Sequence, residues 1–439
     1  MLYLDKIEQF ERGELMKNKY KILGTIAISI IISGCANIGG VGSTNELNSA
    51  QKEEFLTILE QDKYSSMCDL NGMYAQYQQT KDDKILSKLL VEYAENLANG
   101  CIDIDKFKSA LRASNPNANY EFYKEYVSSS DIFAKLKKGD SVTSILEPFV
   151  PQMPQFFPLI DAYNSAISPV TKYKIKQNIE RVKLLKPDGW DTYIMVNVPE
   201  FKFRLFENRQ KSLEFNVIVG RPSWPTPIFS SEMKYITVHP TWNVPDNIAR
   251  KEEIKKIIRD KSYLRRHNMV VKRDYSLDSP TVDPSTINWK EYLKPEWKNR
   301  ALPYKIIEQS GPRNALGHVK FMFPNRYSVY MHDTNNKKLF AYEQRAFSHG
   351  CMRLEKPLKL LGHLATYYTK QKFEEVDKIL KGKKTKYVNL ATKIPVHVVY
   401  LTAYVENGMV HFFNDIYGYD KITKLRVPTT MVEKEVKSK

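Results

Sequence analysis

The chain has 439 residues, of which 42% are hydrophobic and 27% are charged. These values are typical of a globular protein of two or three domains with an ample core. Lysine and arginine exceed aspartate and glutamate, giving a formal net charge of +17, which indicates an anionic partner: a nucleic acid, an acidic membrane surface or an acidic polymer. The lysines are spread along the chain and no basic stretch is interleaved with aromatic residues, so we expect no nucleic-acid partner.

The N-terminus has the layout of a secretory signal. Residues 17–21 are mostly basic, and the apolar run from Ile22 to Ile32 is too short to span a bilayer. The small residues that end in Cys35 resemble a bacterial lipobox, which implies cleavage before Cys35 and lipidation of that residue. An uncleaved anchor ending in an ordinary cysteine is the alternative. Because a signal normally begins with its basic residues, we expect residues 1–15 to be a mis-start and residues 16–34 to be the lipoprotein signal peptide.

The secretory signal predicts the cellular compartment of the protein. We expect the mature chain in the periplasm, held by the lipid to the inner face of the outer membrane or to the inner membrane. Residues 35–50 are small and polar, which is typical of a flexible tether. In an oxidising compartment Cys68 and Cys101 could form a disulfide. Two unrelated buried thiols are the alternative, because sequence does not give their separation.

Residues 51–186 have helical periodicity and are predicted to form a helical scaffold domain without chemistry of its own. Apolar residues from Ile85 to Leu97 recur on one helical face. The pattern also predicts a short helix around Phe122–Val127 and a longer one from about 169 to 185.

The periodicity changes near residue 187, where alternating segments such as 193–198 and 201–206 predict a β domain that extends to residue 355. Between residues 247 and 314 the strand pattern stops, which predicts an inserted helical lid over a site; a decorated surface loop is the alternative. Residues 356–439 are predicted to form helices and a closing hairpin, 395–405 with 409–417, that pack on the other two domains. The fold class is therefore α+β.

Ser348-His349-Gly350-Cys351 is the most informative motif in the chain, together with His332 at the end of an apolar strand. A cysteine reacts as its thiolate, and a nearby imidazole is the usual device that generates one. A glycine beside the sulfur lets backbone N–H groups face a developing oxyanion. A buried thiol in a turn is the alternative for a cysteine without such neighbours.

His332, followed 17 positions later by His349 within Ser-His-Gly-Cys, resembles the signature of L,D-transpeptidases with a YkuD-type catalytic domain. The runs Val219–Pro222, Thr226–Ser231 and Trp242–Pro245 resemble the larger, lid-bearing periplasmic members of that family. The resemblance implies that Cys351 is the nucleophile and His332 its base. It further implies that the backbone carbonyl of Asp333 orients the imidazole, and that His349 and Gly350 line the oxyanion site. His349 as the base is the rival assignment.

Four further residues are predicted to bind substrate: Ser348, Tyr330, Trp242 and Arg353. The Arg353 guanidinium could hold a substrate carboxylate with two hydrogen bonds, or it could be a structural brace. Tyr330 and Trp242 are alternatively core aromatics. The family uses no metal or cofactor, and the eight histidines are scattered, so we expect neither here.

The implied activity is that of a peptidoglycan L,D-transpeptidase, which forms 3-3 cross-links from tetrapeptide stems through a cysteine thioester. An L,D-carboxypeptidase or an enzyme that anchors proteins to peptidoglycan would use the same site. The non-enzyme alternative is a wall-binding scaffold lipoprotein. Carbapenems are the covalent inhibitors that this chemistry implies, and the anionic wall polymer accounts for the positive charge.

Overall fold

The computed structural model describes residues 46–276, 278–298 and 300–426. The predicted mis-start, the signal peptide and the lipidation site Cys35 lie outside these residues, as does most of the predicted tether. Among the residues that are described, no helix combines the length and apolarity needed to cross a membrane.

Eight helices form the N-terminal domain, and all of them except Ile104–Ser114 share one core, in which Phe55, Leu90 and Tyr93 are fully buried. The helix Ile104–Ser114 instead packs into the core of the neighbouring sheet. The first helix begins within the predicted tether, because Asn48 caps it through a reciprocal pair of hydrogen bonds with Gln51. The helices are α1 Ser49–Gln61, α2 Asn71–Thr80, α3 Asp83–Asn99, α4 Ile104–Ser114, α5 Ser129–Lys138, α6 Val142–Leu146, α7 Phe156–Ser165 and α8 Pro169–Lys183.

The helix predicted around Phe122–Val127 is wrong, because residues 121–128 form neither a helix nor a strand. The N–H of Glu121 donates to the carbonyl of Ile228 (2.9 Å), and that of Tyr123 donates to the carbonyl of Leu184 (3.0 Å). Phe122 packs against the core of the sheet domain. The segment therefore binds the neighbouring domain, and these long-range hydrogen bonds replace those of a helix.

Cys68 and Cys101 form a disulfide, with their Cα atoms 5.9 Å apart. The N–H of Cys101 also donates to the buried carboxylate of Glu180 (2.7 Å). That carboxylate is neutralised by Lys176 (3.1 Å) and Lys183 (3.2 Å). The bridge thus joins the two ends of a 33-residue segment within the helical domain.

A nine-stranded sheet forms the second domain, with strand order β10-β3-β11-β9-β8-β4-β12-β1-β2. Strand β2 also pairs with β3, so the sheet closes on itself. Its strands are β1 Tyr193–Asn197, β2 Lys202–Glu207, β3 Gln210–Gly220, β4 Phe229–Val238, β8 Val319–Met322, β9 Met331–His332, β10 Ala346–Ser348, β11 Met352–Leu354 and β12 Lys386–Val399.

Strand β1 is buried on both faces, which shows how the two domains meet. Ile194 and Val196 point into the core of the sheet domain, whereas Tyr193 and Met195 belong to the core of the helices. Because side chains alternate along a strand, one strand serves two cores, and the helical domain is fixed against the sheet.

The predicted domain boundary at residue 355 is corrected, because β12 lies between β4 and β1 inside the sheet. Its last residues pair in parallel with β1, a pairing that requires a long crossover from elsewhere in the chain. The predicted hairpin is correspondingly shorter: β13 Ala403–Glu406 pairs with β14 Met409–Phe412 through Asn407 and Gly408, which both have positive φ. Helices α12 Pro357–Tyr367, α13 Phe373–Lys381 and α14 Tyr419–Ile422 complete this part.

The insert between β4 and β8 was predicted to be helical, and this prediction is only partly right. It contains a three-stranded sheet of β5 Trp242–Asn243, β7 Lys305–Glu308 and β6 Met269–Lys272. Short helices lie beside it: α9 Asp246–Ile248, a π-helical stretch Ala249–Glu253, α10 Ile254–Arg259 and α11 Tyr263–Arg266. Val244, Ile254 and Ile306 are buried in a core that belongs to the insert alone. The strands are too short to give a clear alternating pattern in the sequence.

Candidate active site

Two adjacent strands bring His332 and Cys351 together. His332 ends β9, and Cys351 occupies the turn between β10 and β11. Strands β9 and β11 run parallel, with Met352 opposite Met331, and the N–H of Met352 donates to the carbonyl of Tyr330 (3.0 Å). This register sets the half-buried Cys351 beside the end of β9.

The imidazole of His332 is held by one backbone hydrogen bond. Its Nδ1 lies 2.5 Å from the carbonyl oxygen of Asp333, and because a carbonyl only accepts, Nδ1 carries the proton and Nε2 keeps a lone pair. His332 is only 5% exposed. Burial, with a contribution from the charge of Arg353, lowers its pKa to about 3, so the ring is a neutral base at physiological pH.

The Asp333 side chain fixes the loop that presents this carbonyl. Its carboxylate accepts hydrogen bonds from the backbone N–H groups of His318 (2.8 Å) and Thr334 (2.7 Å) and pairs with Lys337 (2.5 Å). Gly317 is required beside it, since a Cβ there would collide with the carboxylate. The carboxylate thus positions the backbone, and the backbone positions the imidazole.

Ser348 lines the cavity and supports the turn around Cys351. It is 2% exposed, and its hydroxyl donates to the carbonyl of Cys351 (2.5 Å) and accepts from the N–H of Gly350 (3.2 Å). Gly350 has a φ of +110°, a conformation that favours glycine. Because the Gly350 N–H is already bonded, this residue contributes its backbone shape, and the substrate role of Ser348 stays a prediction.

His349 contacts the insert instead of the thiol. Its Nε2 lies 2.6 Å from Oε1 of Glu252 and 2.7 Å from the guanidinium of Arg221, which itself pairs with Glu252 (3.1 Å). Burial would raise the pKa of Glu252, but the hydrogen bonds and charges of His349 and Arg221 lower it. Nε2 of His349 is therefore engaged by Glu252 and Arg221, which argues against the rival assignment of His349 as the base.

Tyr330 and Trp242 both lie on the wall of the cavity that holds Cys351. Burial, and then the nearby Cys351, raise the pKa of Tyr330 well above its usual range, so it remains a neutral phenol. Tyr330 forms side-chain contacts with both Trp242 and Cys351. Trp242 lies on the insert, so this contact joins the insert to the catalytic sheet.

Two cations flank His332 on neighbouring strands, Lys320 opposite it on β8 and Arg353 opposite it on β11. The predicted site residue Arg353 also lines the cavity, and its buried Nε has no hydrogen-bond partner among the described residues. Burial raises the pKa of Cys351, an effect that the charges of Lys320 and Arg353 oppose. The fraction of Cys351 present as thiolate therefore depends on the positive charges of these two side chains.

Residues 191–395 match the family model for the L,D-transpeptidase catalytic domain named YkuD. This part of the chain is therefore similar to a YkuD-type L,D-transpeptidase catalytic domain. A protein of Haemophilus influenzae that bears the provisional name of an L,D-transpeptidase is 29% identical over 348 residues, which cover 77% of this chain and 66% of that protein. The match thus spans about two thirds of the relative.

Solved structures give more distant similarities. An L,D-transpeptidase from Mycobacterium smegmatis is 10% identical, with a TM-score of 0.22, over 48% of this chain and 58% of that one. The catalytic domain of an E. faecium L,D-transpeptidase is 15% identical, with a TM-score of 0.20, over 48% and 98% of the respective chains. L,D-transpeptidase 3 from Mycobacterium tuberculosis, in complex with a faropenem-derived adduct, is 11% identical, with a TM-score of 0.20, over 47% and 60%.

The cavity that holds Cys351 has a volume of about 790 Å³ and lies between the catalytic sheet and the insert. Three carboxylates line it from the insert: Glu252, Glu253 and Glu308. Glu308 is 4% exposed, and among the described residues its carboxylate accepts one hydrogen bond, from the N–H of Ala315 (3.0 Å). Burial raises its pKa to about 7, with a further contribution from Glu253.

Sequence reasoning gave no role to Glu252, Arg221, Glu308 or Lys320. A signal existed for Lys320, because it alternates with the core residues Val319 and Phe321 and so shares the face of β8 opposite them. The contact between Glu252 and His349 joins residues 97 positions apart. Nothing in the local sequence marks such a pair.

Proposed function

We propose that this L,D-transpeptidase domain transfers acyl groups between peptidoglycan stem peptides through a thioester on Cys351. The observation that carries the proposal is the neutral imidazole of His332, held by the Asp333 carbonyl (2.5 Å) beside the strand that begins after Cys351. A cysteine with a positioned base is the arrangement that nucleophilic catalysis requires.

In the first half-reaction, Nε2 of His332 accepts the thiol proton and the Cys351 sulfur attacks the carbonyl of the third residue of a tetrapeptide stem. The N–H of Cys351 has no acceptor among the described residues, and it is therefore the donor we assign to the oxyanion. The intermediate collapses as the bond to the terminal D-Ala breaks, and the His332 imidazolium protonates the departing amine. The thioester remains on Cys351.

In the second half-reaction, an amine on a neighbouring stem attacks the thioester, His332 accepts its proton, and the sulfur leaves. The product is a 3-3 cross-link. Attack by water would make the enzyme an L,D-carboxypeptidase, and attack by a protein lysine would anchor that protein to the wall. The wide cavity, about 790 Å³, supports a second peptide as the acceptor. The paired His332 and Cys351 favour an enzyme over a wall-binding scaffold.

We further propose that the protein works in the periplasm, tethered by a lipid on Cys35. The order of basic, apolar and small residues before Cys35 supports this location, and the net charge of +17 suits an anionic wall polymer. Loss of membrane association in Cys35→Ala cells, measured by fractionation, is the expected result. Unchanged association would contradict the lipid anchor.

The experiment that tests the reaction uses disaccharide-tetrapeptide as both donor and acceptor, with the products identified by mass spectrometry. We expect a cross-linked dimer and free D-Ala from the wild-type protein, and neither from Cys351→Ala. Tripeptide without dimer would establish the carboxypeptidase instead. Unchanged substrate would contradict the proposed function.

A further inference from the structure

Three ionisable side chains form a row across the catalytic sheet. Lys320 on β8 lies opposite His332 on β9, and His332 lies opposite Arg353 on β11. Residues directly opposite on neighbouring strands project from the same face of a sheet. A neutral imidazole therefore stands between two cations, on the face that lines the Cys351 cavity.

Lys320 has no acidic partner among the described residues. Its Nζ lies 3.9 Å from the centre of the Tyr330 ring, and Tyr330 in turn contacts Cys351. The side chain is half-buried, and burial lowers its pKa, although the charge of Cys351 opposes this. A cation without a carboxylate, in a partly desolvated place, needs a compensating negative charge.

The other charged groups around the cavity leave Cys351 as that partner. On the insert, Glu252 pairs with Arg221 (3.1 Å) and Glu253 with Lys256 (2.7 Å). Glu308 has a pKa of about 7 and is in part a neutral acid. Beyond His332, Lys337 is paired with Asp333, and Arg353 faces the same sulfur.

We infer that Lys320 stabilises the thiolate of Cys351 through its charge, a role that neither the sequence motif nor the catalytic histidine supplies. In most cysteine enzymes the imidazolium balances the thiolate. Here the two flanking cations and burial disfavour an imidazolium at His332, so the fixed charges of Lys320 and Arg353 stabilise the negative charge that develops on the Cys351 sulfur as its proton passes to Nε2 of His332. The inference rests on the proposed role of Cys351 as the nucleophile.

The test is the pH dependence of alkylation of Cys351 by iodoacetamide, read by peptide mapping so that other cysteines do not contribute. Lys320→Met keeps the length of the chain and removes the charge. We expect the midpoint of its pH profile to rise by about one unit, which makes alkylation about ten-fold slower below the midpoint. Lys320→Arg, which retains the charge, should keep the midpoint within about 0.3 unit of the wild type.

Lys234→Met is the matched control, because Lys234 is an exposed lysine on the neighbouring strand β4 and its loss removes the same charge from the same sheet. It should leave the profile unchanged. An unshifted midpoint in Lys320→Met, or an equal shift in Lys234→Met, would overturn the inference. Should Lys320→Met fail to fold by circular dichroism, Lys320→Gln is measured against the same criterion. Alkylation needs no peptidoglycan, so this result stands apart from any failure of the proposed transfer reaction.

Discussion

The two walls of the active-site cavity differ in construction and in charge. The catalytic wall consists of the adjacent strands β8, β9 and β11, whose register places Lys320, His332 and Arg353 in a row. The insert wall has short strands, short helices and a core of its own, and it lines the cavity with carboxylates and cations together. Chemistry that depends on close geometry thus lies on the sheet, while the mixed-charge wall belongs to a separately packed unit.

Contacts between side chains join these walls. Glu252 of the insert pairs with His349 and Arg221, and Trp242 contacts Tyr330. Since His349 precedes Cys351 by two residues, the first contact places the insert directly over the nucleophile turn. The comparison predicts that changes on the catalytic wall alter the chemical step, whereas changes on the insert alter substrate binding or stability.

The largest effect is expected on the catalytic wall, from His332→Gln. Loss of the base should slow acylation by about 10²–10⁴-fold, measured as the rate of acyl-enzyme formation by mass spectrometry. Because the pKa of His332 is lowered to about 3, the wild-type rate should show no loss of activity between pH 8 and pH 5 from protonation of this ring. A decline with a midpoint near pH 6.5 that disappears in His332→Gln would contradict the neutral base.

A smaller effect is expected at the contact between the walls, from Glu252→Ala. The pairs with His349 and Arg221 are partly exposed, so their loss should weaken transfer about five-fold, the equivalent of about 1 kcal/mol. We expect the KM for the stem peptide to rise, while the rate of alkylation of Cys351 stays unchanged. Glu252→Asp should recover part of the loss. A fall in kcat alone would place Glu252 in the chemical step and contradict the assignment of the insert wall to substrate binding.

The smallest effect is on the stability of the insert, from Glu308→Gln. The folded-state pKa of Glu308 is about 7, above its ordinary value of 4.5. Between about pH 4.5 and pH 7, this carboxyl ionises in the unfolded chain while it stays protonated in the folded protein. The wild type therefore loses stability as the pH rises through this range. At pH 8 the variant should gain about 1–2 kcal/mol in the free energy of unfolding, and at pH 4 it should gain nothing.

Urea unfolding of the two proteins at pH 4 and pH 8 measures this difference. Glu296→Gln, on an exposed residue of the same insert, is the control and should change neither value. A destabilised Glu308→Gln at pH 8 would mean that the carboxylate is ionised and paired in the folded protein.

The catalytic wall was largely predictable from sequence, and the insert wall was not. The spacing of His332 and Cys351, with an apolar strand before the histidine, is enough to expect a paired base and nucleophile. The role of the Asp333 carbonyl followed from the family resemblance. By contrast, the strands of the insert are four residues or shorter, too short for alternation to reveal them.

Long-range pairing explains the remaining differences. Strand β12 lies between β4 and β1, a position that no local pattern specifies. The predicted boundary at residue 355 therefore separated β12 from the sheet to which it belongs. The buried hydroxyl of Ser348 bonds within its own turn, which a motif that lists residue types does not convey. In both cases the sequence indicated the element, whereas tertiary contacts decided its neighbours.

A covalent acyl-enzyme on Cys351 is the intermediate on which the proposed reaction depends, and it can be trapped and detected. The purified mature protein is incubated with a carbapenem, a strained acyl donor, and its intact mass and peptide map are recorded. We predict one adduct, located on Cys351, in the wild type and no adduct in Cys351→Ala. An unmodified wild type, or an equal adduct in Cys351→Ala, would contradict the account.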